Sequence, residues 1–369
     1  MTTILPLSSH ISFRSINQSY IYISRMATSL TDIHSDIILT HILPCLDGPS
    51  LATTTALSSY LQNLCIDDNI WKRVCKSTWP SSTHPRVQEI ISAFPYGYRT
   101  FFHDAFPVLV INRSMWKQDQ QLNCLTSYPG LSELVSAIDI HYKNDIVYSA
   151  VKLTNTSTKH FLWSPLWIEL TNDQTIINRS IDLKVDDNIG EETLLQLKES
   201  LTLNWVVMST SWKRAGNLSS VKPVRVKEGL LPNEILVQYK TILPGCDPKE
   251  MVQCKIHLVL EGEVAAGLQV KMVILKLQNL NSICLKGNDF LVVTQRAIME
   301  QNQVIRKMVA NNDQDTMMTC KEFKEMKRKE KEIQKDIAVK NRYTDIFVFC
   351  ICVYYLVLIL HFLGPGSLG

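Results

Sequence analysis

The 369-residue sequence is poor in the features that announce an enzyme. It has no G-x-S-x-G, no H-E-x-x-H and no glycine-rich phosphate loop, so no nucleophile elbow, zinc-protease helix or nucleotide cradle can be placed on it. Its nine histidines stand apart in sequence from nucleophiles. Its ten cysteines include no C-x-x-C, and no Cys/His cluster has zinc spacing, which excludes the common zinc modules and a redox dithiol. The close pair Cys350 and Cys352 lies inside an apolar run, and reduced cytosolic thiols account for the others. Acidic and basic residues nearly cancel at a net +3, so no whole-chain field gathers nucleic acid. No cofactor, metal site or nucleic-acid partner is expected. A long uninterrupted apolar run is also missing until Ile346.

What is present begins at Ser35. Ser35 and Asp36 suit a helix N-terminus, because both favour the unpaired amides there. Ile38, Ile42 and Leu46 then recur every four residues, with Leu39 and Leu43 alongside, which is one apolar face at helical spacing. Asp47-Gly48-Pro49-Ser50 stops this helix and starts the next, since proline is tolerated only in a first turn. Leu51, Ala56, Leu57, Leu61 and Leu64 carry two further short helices, although Thr53, Thr54 and Thr55 are weak helix formers. Asp67-Asp68 opens a last helix presenting Ile70, Trp71 and Val74. A segment of about forty residues cannot bury so much apolar surface alone. Either the rest of the chain or a partner covers one face.

This stretch, SDIILTHILPCLDGPSLATTTALSSYLQNLCIDDNIWKRVC, resembles an F-box. The shared order is an acidic first turn, an Ile-Leu pair, a Leu before a turn, a Leu-rich second helix, a polar loop and a Trp. These fall on Asp36, Ile42-Leu43, Leu46, Leu51, Asp67-Asp68 and Trp71. The run Leu46 to Ala52, with Ser77-Thr78-Trp79-Pro80 after the Trp-x-x-x-Cys, is similar to one group of plant F-box proteins. Two positions depart from the general motif: His34-Ser35 replaces the usual Leu-Pro, and Pro44 falls where the first helix should still run. The resemblance implies docking onto a Skp-type adaptor, and through it onto cullin and RING subunits. The adaptor-binding residues it implies are Asp36, Ile38, Ile42, Leu43, Leu46, Pro49, Leu51, Leu57 and Trp71, some of them internal to the F-box.

The far end carries the second signal. Ile346 to Leu363 holds no charged side chain except His361 when protonated, and at ~1.5 Å per residue it spans about 27 Å, enough for a hydrocarbon core. The preceding Lys321–Arg342 is rich in Lys and Arg, and Gly364–Gly369 has no charged side chain. The positive-inside tendency then leaves the N-terminal bulk in the cytosol. The expected localisation is a single-pass, tail-anchored membrane protein, best suited to the endoplasmic reticulum. Residues 1–25 have arginines, serines and no carboxylate. They read as a disordered extension, or one preceding a start at Met26, more than as a transit peptide.

Between the ends, residues 81–107 read as a helical linker whose Phe94, Tyr98, Phe101, Phe102 and Phe106 pack the F-box onto the region C-terminal to it. Residues 108–293 read as strands: Leu134–Tyr142, Ile146–Leu153, Leu166–Leu170, Leu201–Met208, Ile235–Tyr239, Val252–Leu260 and Val270–Leu277, separated by turn residues. Seven strands with few helical patterns between them predict an antiparallel sandwich. Asp139–Val147 and Phe161–Leu170 resemble the start of plant phloem-lectin-like modules, which leaves open a protein or a glycoprotein target. Trp163, Trp167, Trp205 and Trp212 are expected in its core, and Trp212 to Asn217 in a loop. Lys213, Arg214, Lys222, Arg225 and Lys227 are more readily a solvated face than a basic site. Residues 297–342 read as a charged helix whose heptad seam is spoiled at Glu330, and 346–363 as a transmembrane helix.

The sequence thus predicts an α+β chain: F-box (30–80), linker, β-rich target-binding domain, charged helix and membrane helix. The function expected is a non-catalytic substrate receptor of a cullin ubiquitin ligase. A membrane-anchored, lectin-like binding module with a degenerate F-box is the alternative.

Overall fold

A computed structural model describes residues 33–106, 131–170, 175–183, 190–246, 250–263, 267–304 and 312–363. The expected extension of residues 1–25, the first part of the expected β-rich region (108–130) and the tail Gly364–Gly369 lie outside them. The chain divides into two compact units, ending at Thr78 and beginning at Trp79.

The first unit is helical. α1 (Ser35–Ile37) runs directly into a π-helical stretch, Ile38–Ile42, and a 3-10 turn, Leu43–Cys45. Its N-cap is His34, one residue earlier than expected, whose Nδ1 accepts from the Asp36 amide at 3.3 Å. Pro44 does not end this run. Its ring crowds the carbonyl four residues back, and the run is widened just ahead of it, where Leu43 N–H donates to the Ile38 carbonyl. α2 (Gly48–Leu57) is capped by Asp47, whose Oδ1 accepts from Ser50 N at 2.8 Å. The three threonines turn their hydroxyls back onto the helix: Thr53 Oγ1 donates to Pro49 O at 2.9 Å and Thr54 Oγ1 to Ser50 O at 2.8 Å. Ser58 caps α3 (Ser59–Leu64), and α4 (Asp68–Thr78) buries Ile70, Trp71, Val74 and Cys75 on one face.

The second unit holds two antiparallel sheets. The first contains β1 (Glu133–Tyr142), β2 (Asp145–Asn155), β4 (Thr175–Asn178), β5 (Leu201–Ser209) and β6 (Arg214–Asn217), in the order β4-β2-β1-β5-β6. The second contains β3 (Trp167–Leu170), β7 (Arg225–Glu228), β8 (Glu234–Pro244), β9 (Met251–Glu263) and β10 (Gly267–Gln278), in the order β3-β10-β9-β8-β7. Alternation sets the core. Leu134, Ile138 and Ile140 of β1 and Leu203, Trp205 and Val207 of β5 share one apolar cluster with Val237, Tyr239, Ile256, Leu258 and Leu275 of the second sheet. Lys143 and Asn144 both take positive φ at the β1–β2 hairpin, the backbone that matches strand twist in a two-residue turn.

The other face of the first sheet is also buried at Val135, Ala137 and Asp139. A helical layer covers it: a 3-10 turn (Pro80–Thr83), α5 (Pro85–Ser92) and α6 (Gly97–Ala105), which touch β1, β2 and β6. The aromatics Phe94, Tyr98, Phe101 and Phe102 are buried here, and Trp79 meets Phe101 edge-on at 5.7 Å. The stretch read as a linker is therefore helical and packs as a layer of the second unit.

Two short helices, α7 (Lys159–Trp163) and α8 (Glu191–Ser200), interrupt the strands. α9 (Gly287–Val304) begins inside the segment read as strand. It places Phe290, Leu291, Val293, Ala297 and Ile298 in the shared core. α10 (Asn312–Leu363) joins the expected charged helix and the expected span in one continuous helix. Phe323 anchors it on Ile242 and Met251. Within Lys321–Ile359 it is long and apolar enough to cross a membrane, and its apolar window is not buried by the protein.

Candidate functional site

The helical unit sorts the nine residues expected to face an adaptor. Ile38, Leu43, Leu51 and Trp71 are inside it, with Leu61, Cys65, Ile70 and Val74. Leu43 is buried, so a charge there would break the unit's interior. Trp71 closes it: its indole Nε1–H donates to the Cys65 carbonyl at 2.8 Å, tying α4 to the end of α3 while the ring fills the centre. Ile42 and Leu46 are half-buried, and Asp36, Pro49 and Leu57 are exposed. Leu57 is 72 % exposed at the end of α2. Ile37 (49 %) and Ile66 (54 %) are further exposed apolar side chains that the motif did not single out.

The second unit contributes surfaces of another kind. Trp205 and Trp212 are core residues as expected, but Trp163 and Trp167 are 67 % and 57 % exposed. They stand on α7 and on the edge strand β3, with Lys286 Nζ 5.7 Å from the Trp163 ring centre. Of the basic residues between Lys213 and Lys227, Arg214 is withdrawn from any surface patch. The segment read as a loop is β6, and Arg214 is paired there with buried Asp104.

Interior groups are held structurally. The Asp139 carboxylate accepts from Ser81 N (3.0 Å), Ser81 Oγ (2.5 Å) and Ser149 Oγ (2.7 Å), and burial, outweighing these bonds, raises its pKa to about 6. Burial also pushes the Cys75 and Cys254 thiols up, which makes both poor nucleophiles. Among the described residues no group of His, Cys, Asp and Glu is arranged to hold a metal ion.

Comparison with known proteins gives three curated relatives, all from Arabidopsis thaliana. The chain is similar to F-box protein At2g27310, 32% identical over 72% of this chain and 78% of that protein. It is 36% identical to F-box protein At3g44326 over 65% and 66% of the two chains. It is 33% identical to probable F-box protein At2g36090 over 75% and 78%. No family model matches the chain, and no solved structure does.

Proposed function

The chain belongs to the plant F-box protein family, and on that footing we propose that it is the substrate receptor of a cullin-type ubiquitin ligase. The carrying observation is relatedness, over most of the chain, to proteins named for the F-box. In this reading the helical unit grips a Skp-type adaptor through Asp36, Ile42, Leu46, Pro49 and Leu57. Ile38, Leu43, Leu51 and Trp71 hold those groups in place from within. The adaptor brings the cullin and RING subunits. The β unit holds a protein or glycoprotein target. The chain itself makes and breaks no bond; it raises the target's effective concentration beside the ubiquitin-loaded enzyme. α10 serves as a membrane span whose Lys- and Arg-rich flank keeps both units on the cytosolic side, an endoplasmic-reticulum face being the best suited.

The test is recovery of the ligase. A tagged full-length chain expressed in plant cells and extracted in mild detergent brings down adaptor and cullin, and a Leu57→Asp chain brings down neither. Intact, well-expressed wild-type chain recovered without an adaptor would remove the ligase assignment.

A further inference from the structure

The apolar end of α10 carries two polar stripes. A turn of helix takes about 3.6 residues, so each residue adds about 100° around the axis. Tyr343, Phe347, Cys350, Tyr354 and Val357 follow one another at spacings of four and three and share an arc of about 80°. All five are exposed. Asp345, Val348, Cys352, Tyr355 and Ile359 repeat the pattern on the other side of the helix and are exposed as well. Cys352 stands about 180° from the middle of the first stripe, and Tyr355 about 120°.

Depth makes these tyrosines costly. Tyr354 lies about 12 Å along the helix from Ile346, near the middle of the run read as a membrane span. Hydrocarbon offers its hydroxyl no water, and an unpaired hydroxyl there is unfavourable. Helices in lipid associate through close packing and hydrogen bonds, because lipid is as apolar as their side chains. A second copy supplies what Tyr354 lacks. Two copies held by the same span share orientation and depth, so each Tyr354 meets its twin, and a phenol both donates and accepts.

The membrane boundary chooses between the stripes. In the first, the residue just outside the apolar run is Tyr343, 70 % exposed and of a type suited to the interface. In the second that place belongs to Asp345, so self-pairing there would set two carboxylates against each other. Farther from the span the first stripe continues onto Lys340 and Asp336, whose twins would repel. Contact is therefore confined to the span and Tyr343.

We propose that α10 pairs in the membrane with α10 of a second copy of this chain, through Tyr343, Phe347, Cys350, Tyr354 and Val357. The proposal rests on the reading of α10 as a membrane span. Pairing brings two β units to one place, so a target with two points of attachment is held by avidity.

Cys350 reports on the pairing, because twins on a contact stripe come within disulfide reach while Cys352 faces away. The experiment uses the full chain in plant-cell membranes, carrying Cys45→Ser, Cys124→Ser, Cys246→Ser, Cys284→Ser and Cys320→Ser. Beside the buried Cys65, Cys75 and Cys254, only the two thiols of the span then remain. Oxidation by copper phenanthroline in air, followed by non-reducing electrophoresis, should show a dimer that vanishes with Cys350→Ser and persists with Cys352→Ser. Tyr354→Leu should lower its yield by about threefold or more, and Tyr355→Leu should leave it unchanged. No dimer, a dimer that depends on Cys352, or an undiminished yield with Tyr354→Leu would overturn the pairing. So would Cys350 trapped on a membrane protein of another mass. Carbonate extraction of the same chains separates the two ways of failing. A chain stripped from the membrane removes the span reading and the pairing with it, whereas a pelleted chain without the Cys350 dimer removes the pairing alone.

Discussion

Arg214 holds Asp104 in a two-point clamp: Nε donates to Oδ2 and a terminal amine to Oδ1, both at 2.6 Å, with the Ala215 amide adding a third bond at 3.1 Å. Asp104 is fully buried at the end of α6, and Arg214 opens β6. This pair fastens the helical layer to the edge of the first sheet.

Removing one partner leaves a charge buried without its counter-ion. Arg214→Ala should destabilise the second unit by about 3–5 kcal/mol, while Arg214→Lys, which lacks the planar fork, should restore only part of it. Chemical denaturation of the full chain in detergent, followed by circular dichroism, measures both. Equal stability of Arg214→Ala and wild type would contradict the clamp.

Asp139 makes the same layer sensitive to pH. Its folded-state pKa of about 6 lies above the ordinary 3.8, so the folded state binds the proton more tightly than the unfolded state. The resulting stability is fully present below about pH 4 and is lost as pH rises through about 6. Asp139→Asn does not titrate. The stability of wild type relative to this variant should therefore fall between about pH 4 and pH 7, by on the order of 1–3 kcal/mol. Parallel stability profiles would show that the carboxyl does not titrate in this window.

The indole of Trp71 is predicted to act in two separable ways. Trp71→Phe keeps a ring in the helical unit but loses the bond to Cys65, and should cost about 1 kcal/mol. Trp71→Ala also opens a cavity and should cost about 3–5 kcal/mol. Adaptor capture should survive the first change and fail in the second. Identical capture by the two variants would mean that Trp71 does not hold the unit together.

The apolar end of α10 should determine fractionation. A chain lacking residues 345–369 is expected in the soluble fraction after cell lysis, and the intact chain in the membrane pellet, resistant to carbonate. A pelleted truncated chain would point to another means of attachment.

The strands legible in the sequence were those whose two faces differ. β1, β2, β5, β8, β9 and β10 alternate or run apolar because one side faces the shared core, and each stands where the pattern puts it. β3, β4, β6 and β7 are four-residue edge strands, too short for a period to show, and only β3, inside the apolar run Leu166–Leu170, was legible as a strand. β6 was hidden further because Arg214 and Asn217 look like loop residues. Their partners Asp104 and Trp205 come from other elements, and only the fold brings them together. The helical unit was legible through its motif, but its inside and outside were not. Leu43 and Ile42 are adjacent and equally apolar, and a π-helical stretch just before Leu43 shifts the phase that a 3.6-residue period would assign. Trp163 and Trp167 read as core by residue type, and only their places on a short helix and a sheet edge expose them.

On the receptor reading, the helical unit binds a Skp-type adaptor through its exposed aliphatic groups. The most direct measurement is a titration of purified adaptor into the purified full-length chain by isothermal calorimetry, beside Leu57→Asp. The account predicts saturable one-to-one binding by wild type, and at least a tenfold loss in a Leu57→Asp chain whose circular dichroism is unchanged. No heat of binding from a well-folded wild-type chain, or equal affinity of the two, would contradict it.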